Sequence, residues 1–188
     1  MIVLAFGDLH SDFKTLKIVI KKAKKADFII CCGDLSFFGR RYNELLRILN
    51  KIGKTVYIIK GNHDPASNIK LKNIINIHKK VFKIGEKYLA GYSDQGFAME
   101  SKDLEKFFMK HKDKLKNGLM ITHGPPYKTK LDDLEEGHVG SKSTRKVIEK
   151  IKPMVHISGH LHEHFDEMDL IKEALIINPG PDGSLLEI

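Results

Sequence analysis

The stretch Ile2–Leu35, IVLAFGDLHSDFKTLKIVIKKAKKADFIICCGDL, sets the architecture. Its apolar, β-branched run Ile2–Phe6 reads as a strand and ends on Gly7-Asp8-Leu9-His10. Asp12–Lys25 then carries Phe13, Leu16, Ile20 and Ala23 near a 3.6-residue period, which predicts an amphipathic helix. A second apolar run, Phe28–Cys32, ends on a second glycine–aspartate pair, Gly33-Asp34. Working outward, Tyr42–Ile52 reads as a helix and Val56–Ile59 as a third strand, which ends on Gly61-Asn62-His63-Asp64. Strand, helix, strand, helix, strand predicts a parallel sheet.

The middle of the chain changes character. Ile74–Ile77, Val81–Ile84 and Tyr88–Tyr92 read as short strands with little between them, which suggests hairpins or an antiparallel extension of the sheet. Leu104–Leu115 reads as a helix with Ser101 as its N-cap. Leu119–Thr122 and Met154–Ser158 read as strands, Ser143–Ile151 as a helix, and Ala174–Asn178 and Ser184–Ile188 as two closing strands. The longest loop is Gly124–Lys142, and loops of that length inside a compact domain are usually functional.

Two more strands end on chemistry. Leu119–Thr122 leads into His123-Gly124, and Met154–Ser158 into Gly159-His160-Leu161-His162. Sites in open α/β sheets form just beyond the carboxyl ends of strands, so five such ends from distant parts of the chain can meet. Asp8 with His10, and His160 with His162, stand two residues apart and share a face in extended backbone. Together these residues supply hard oxygen ligands, a neutral amide and four imidazoles besides His63, which is chemistry suited to two divalent metals in one site. Asp34 has two carboxylate oxygens and could bridge two cations.

Length and composition set wider bounds. The 188 residues predict one domain, 1–188, with a sizeable core. No basic leader precedes the short apolar run at the start, and nothing approaches the roughly 20 apolar residues that span a bilayer, so no membrane partner is expected. Cys31 and Cys32 are adjacent and point to opposite faces of a strand, so they are expected to be reduced and structural in a cytoplasmic protein. The net charge of +8 is compatible with a nucleic-acid partner or a negatively charged substrate. The lysines are spread along the chain, however, and the densest group, Lys17–Lys25, falls on one solvated helix face, so nucleic acid is not favoured.

The ordered set GDLH, GDL, GNHD, THG and GHLH resembles the calcineurin-like metallophosphoesterase superfamily across essentially the whole chain. The resemblance implies a four-layer αββα sandwich of two mixed β-sheets flanked by helices. It also implies a ligand set: Asp8, His10 and His162 for one metal, Asn62, His123 and His160 for a second, and Asp34 between them. Two divalent ions are thus the implied cofactors, manganese first, with nickel, cobalt, iron or zinc as alternatives. His63 is similar to the histidine that family members use beside the metals near the leaving group, with Asp64 as its neighbour. The implied activity is a metal-dependent hydrolase cleaving small phosphodiesters or nucleotides through a metal-bridging hydroxide. Arg40, Arg41 and His164 are candidate substrate contacts. A narrower similarity, in His123-Gly124-Pro125-Pro126, Gly140-Ser141, Pro153, His156 and Gly159–Glu163, is to a small phosphodiesterase-like subgroup. The second motif departs from the protein Ser/Thr phosphatases: Ser36-Phe37-Phe38-Gly39-Arg40-Arg41 stands where they carry Asp-Arg-Gly. A nuclease and a non-catalytic protein-binding scaffold are the competing readings, and the complete ligand set together with His63 argues against the scaffold. A homo-oligomer is compatible with the sequence.

Overall fold

The computed structural model describes residues 1–66, 70–94, 96 and 98–188. In chain order its elements are β1 (Ile2–Phe6), α1 (Phe13–Ala23), β2 (Phe28–Cys31), α2 (Tyr42–Lys51), β3 (Val56–Ile58), β4 (Ile74–Asn76), β5 (Lys80–Ile84) and β6 (Lys87–Tyr92). There follow α3 (Lys102–Lys110), α4 (Lys112–Leu115), β7 (Leu119–Thr122), β8 (Asp133–Leu134), β9 (Gly137–His138), α5 (Lys142–Ile151), β10 (Val155–Ile157), β11 (Met168–Ile171), β12 (Ala174–Ile177) and β13 (Ser184–Glu187).

The predicted parallel opening is present. β1, β2, β3 and β4 run parallel, and β13 closes the edge antiparallel to β1, in the order β13-β1-β2-β3-β4. A second sheet runs β11-β12-β10-β7-β6-β5, parallel in its centre with an antiparallel strand at each edge. The middle strands therefore divide. β4 extends the first sheet in parallel, whereas β5 and β6 form a hairpin in the second.

Alternation along each strand builds three cores. Leu4 and Phe6 face α1 and α2, packing with Leu16, Val19, Leu45 and Leu49. Val3 and Ala5 face the other way and pack with Leu89, Ile121 and Ile157 between the sheets. Ala90, Met120 and Ile176 pack outward against Leu104, Phe108, Val147 and Ile148 of α3 and α5. The layers are helices, sheet, sheet, helices, as expected. Period-two burial from both sides explains the near-continuous apolar strands. Truncating one such residue, for example Leu4→Ala, costs about 2–5 kcal/mol. Cys31 lies in the outer core and Cys32 in the inter-sheet core, and both are free thiols.

The expected helix over Leu104–Leu115 is two helices, broken at His111, which leaves helical geometry at φ −111°, ψ 18°. Ser101 caps the first by accepting from the Leu104 amide at 3.2 Å. No helix among the described residues is long and apolar enough to cross a membrane.

Candidate metal centre

All five motif loops leave the carboxyl ends of β1, β2, β3, β7 and β10, and they meet at one edge of the sandwich. Backbone bonds lace them together. The Asp8 amide donates to Gly33, that of His10 to Asp34, and that of Gly159 to His123, at 2.9–3.0 Å. Asp8, His10, Ser11, Asp34 and His160 all adopt left-handed backbone, with φ between 46° and 76°. Non-glycine residues rarely do so, and such strain concentrates where function requires a fixed geometry. At Gly61 a Cβ would stand 2.2 Å from the Asp34 carboxylate and 2.6 Å from the His123 ring, so only glycine fits.

The side chains form two adjoining groups. Asp8, His10 and His162 converge, with His10 Nε2 3.0 Å from His162 Nε2 and His162 Nε2 4.0 Å from Asp8 Oδ1. Asn62 Oδ1 lies 3.0 Å from His123 Nε2 and 3.1 Å from His160 Nδ1. Between them Asp34 Oδ2 faces His123 at 3.5 Å and both His10 and His63 at 3.8 Å. The residues read from the sequence as ligands or proton donor thus cluster around Asp34.

These atoms fit cations. Two donors about 2.1 Å from one ion at near-right angles stand about 3.0 Å apart, the spacing seen in three of these contacts. His123 Nδ1 donates to the Cys32 carbonyl at 3.0 Å, which points Nε2 at Asn62 Oδ1 and Asp34 Oδ2. Without a metal a proton occupies Nε2, and a cation bound there would replace it. Asp8 Oδ1 and His10 Nδ1 are buried with no hydrogen-bond partner among the described residues. The electrostatics agree. Burial drives the Asp8 pKa up to about 6, only partly countered by His123 and the His160 amide. Burial also lowers His10 and His160 to about 4. Burial opposes protonation of His123, but its bond to Asp34 and the fields of Asp8, Asp34 and Asp94 outweigh it and lift the pKa to about 9. The cluster thus draws positive charge to its centre.

The remaining sequence candidates divide. His63 lies beside the cluster, its Nδ1 buried with no partner among the described residues. Asp64 turns away from it: Oδ1 accepts from the Ser36 amide (2.8 Å) and hydroxyl (3.0 Å), and Oδ2 from the Leu35 (3.1 Å) and Gly61 (3.3 Å) amides. Its carboxylate ties the second motif loop to the third. Arg41 grips Glu44 through two bonds of 2.6 Å and stacks on Phe13, and Arg40 is exposed with no side-chain partner among the described residues. His164 bonds Glu167 and the Asp133 carbonyl, and so anchors the 124–142 loop rather than entering the cluster.

Two features escaped the sequence reading. Asp94 accepts from the Gly124 amide at 2.8 Å and the Gly96 amide at 3.0 Å, holding the loop that carries His123. It follows β6 as the motif residues follow their strands, which is the signal that could have found it. The loop over 124–142 contains the hairpin β8–β9 and is centred on buried Asp132.

A two-sheet sandwich with this ligand cluster at its strand ends defines a metallophosphoesterase. The chain belongs to the calcineurin-like phosphoesterase family, whose model matches residues 1–164. It is 30% identical to an uncharacterised protein of Methanocaldococcus jannaschii over 202 aligned positions, covering 96% of this chain and 88% of that one. Its fold matches a crystal structure from Thermus thermophilus with TM-score 0.77 at 20% identity, covering 98% and 93% of the two chains. It also matches a structure described as a novel archaeal phosphodiesterase, with TM-score 0.51 at 16% identity, covering 96% and 84%.

Proposed function

We propose that the protein is a phosphoester hydrolase working with two divalent cations on small phosphodiesters or nucleotides. The observation that carries this reading is the pair of donor groups joined by Asp34, whose donor atoms stand 3.0–3.1 Å apart in three contacts. Asp8, His10 and His162 would hold one ion, Asn62, His123 and His160 the other, and Asp34 would contact both. The imidazole–oxygen donor set suits manganese, iron, cobalt, nickel or zinc, and we favour manganese. When bound, the ions would supply an activated water and Lewis-acid stabilisation of the phosphoryl oxygens.

The chain's own residues would do the rest. The Cys32 carbonyl and Asp94 hold His123, and Asp64 holds the loop of His63, so the donors need little rearrangement. His63, which groups with His10 and Asp34 at ligand spacing and lies 3.8 Å from Asp34, would in this reading protonate the leaving oxygen. The free, buried cysteines are compatible with action in a reducing compartment such as the cytoplasm.

The test is hydrolysis of bis-p-nitrophenyl phosphate and p-nitrophenyl phosphate by protein stripped of metal and reloaded with manganese. Turnover of the diester is expected, and inactivity on both with manganese, nickel, cobalt and zinc refutes the hydrolase. His63→Ala should cut turnover by roughly 10²–10⁴ with bound metal unchanged. A variant that loses metal but keeps its rate per bound ion removes His63 from the proton-transfer role.

A further inference from the structure

Phe37 and Phe38 are 50% and 73% exposed, and neither belongs to any of the three cores. Two adjacent phenyl rings left in water forgo the burial that normally stabilises such side chains. Their backbone is held in place all the same. The Phe37 amide donates to Ser11 Oγ at 3.1 Å, Ser11 Oγ donates to the Arg40 carbonyl at 2.6 Å, and the Gly39 amide donates to the His63 carbonyl at 3.1 Å. Phe38 itself sits at φ 47°, a conformation that a bulky L-residue adopts only under constraint. The loop is therefore pinned in a strained form that presents both rings outward.

The rings also stand beside the cluster. Phe37 is stacked on His63 at 5.3 Å and 17°, Phe38 meets the same imidazole edge-on at 4.2 Å, and His10 lies 5.9 Å from Phe37. The two phenyl rings meet at 74° with centroids 4.8 Å apart, making a corner with two π-faces. A planar ring stacks on such a surface at comparable spacing. Aliphatic substituents would gain only contact area there.

We propose that Phe37 and Phe38 are a specificity platform that stacks a planar heteroaromatic group, such as a nucleobase, of a phosphoester whose phosphate lies on the ligand cluster. The phosphate's position rests on the function proposed above; the platform itself rests on the exposed, pinned rings. The substrate class is thereby narrowed from small phosphoesters in general to those bearing a base or aryl group. Stacking of a base on an aromatic side chain corresponds to about tenfold or more in affinity.

Calorimetric titration of the manganese-loaded full chain with adenosine 5′-monophosphate and with ribose 5-phosphate tests this without turnover. The two probes differ by the base alone. Wild type should bind the nucleotide about tenfold or more tightly than the sugar phosphate. In Phe37→Ala/Phe38→Ala that preference should shrink to within about twofold while ribose 5-phosphate affinity is unchanged. Phe38→Tyr should keep the preference, which separates an aromatic requirement from damage to the loop. A preference retained in the double alanine variant overturns the platform, as does its absence in wild type. Loss of self-association in that variant with the preference intact also overturns it, making the pair a contact between copies. Binding of neither probe removes the phosphate position and the platform together. The diester assay separates the two proposals: an active enzyme with no base preference loses only the platform, and an inactive protein with a Phe-dependent preference loses only the hydrolase.

Discussion

Two regions of this molecule are built around buried aspartates, and they use them in opposite ways. In the 124–142 loop, Asp132 is fully occupied. Its Oδ1 receives the Thr129 amide at 2.7 Å and His138 Nδ1 at 2.9 Å, and its Oδ2 receives the Lys128 and Gly140 amides at 3.1 and 2.9 Å. In the ligand cluster, Asp8 Oδ2 receives one amide, from His160 at 3.0 Å, while Oδ1 is buried with no donor to it among the described residues. Asp34 gives Oδ1 to the His63 amide at 2.8 Å and turns Oδ2 to three imidazoles 3.5–3.8 Å away; burial raises its pKa, but His123, the His63 amide and His10 outweigh that and hold it below the ordinary carboxylate value. A carboxylate whose lone pairs are all taken organises a loop. One left open in a dry place is costly by itself and awaits positive charge. Asp64 belongs by sequence to the motif region and by its four donors to the closed kind.

The largest effect expected from breaking this contrast is at Asp34. Asp34→Asn keeps the shape but removes the charge that faces both donor groups. Manganese bound per chain should fall, and kcat/KM on the diester should drop on the order of a thousandfold, the equivalent of several kcal/mol of lost charge stabilisation. A variant with near-native rate and metal content would show that Asp34 is not where cations bind.

A buried open atom does not always signal a cation, and His156 sharpens that distinction. Thr122 Oγ1 donates its single proton to the Gly124 carbonyl at 2.7 Å, so at 2.8 Å it accepts from His156 Nε2. His156 Nδ1 then holds a buried lone pair with no partner among the described residues. Burial alone lowers its pKa to about 3. Because the folded value lies below the ordinary one, the unfolded chain takes up the proton first as pH falls. The stability contribution is complete above about pH 6.5 and is lost progressively toward pH 3, by a few kcal/mol in total. Urea unfolding of metal-free protein at about pH 7 and about pH 4.5 measures it. His156→Gln, which can still donate to Thr122, should flatten that slope, and an unchanged slope assigns the acid sensitivity elsewhere.

Much of this was legible in the chain because strand ends and chemistry coincide in it. Five β-branched runs each terminate in glycine and a ligand-type residue, so the three strands of the opening and the convergence of Asp8, His10, Asp34, Asn62, His123, His160 and His162 could be read directly. What was less legible lacked either periodicity or a neighbour of its own kind. β11 is an edge strand whose Met168 and Leu170 are 56% and 62% exposed, leaving Ile171 as its one buried residue. The break at His111 has no glycine or proline to announce it. Asp94 is a lone acid, and its role appears only when the amides of Gly96 and Gly124 come to it. Arg41 looked free to grip a phosphate until Glu44 and Phe13 were seen to hold it.

The smallest effect is also the sharpest comparison, because the same substitution should have opposite signs in the two regions. In Asp132→Asn the new NH₂ faces either the Lys128 and Gly140 amides or the Thr129 amide, all of them donors. Metal-free protein should lose about 1–3 kcal/mol, roughly 2–10 °C in Tm. In Asp8→Asn the carbonyl oxygen can keep the His160 amide while an uncharged NH₂ takes the Oδ1 position. The buried, unpartnered charge disappears, so metal-free Asp8→Asn should melt above wild type. Manganese should then reverse the order. It stabilises whatever binds it in the folded state, by about 2.7 kcal/mol at a hundredfold excess over Kd, so wild type and Asp132→Asn should both shift upward while Asp8→Asn shifts little. Were Asp8→Asn to melt below wild type without metal, the open oxygen would have a partner in the apo protein, and the contrast between open and closed carboxylates would fail.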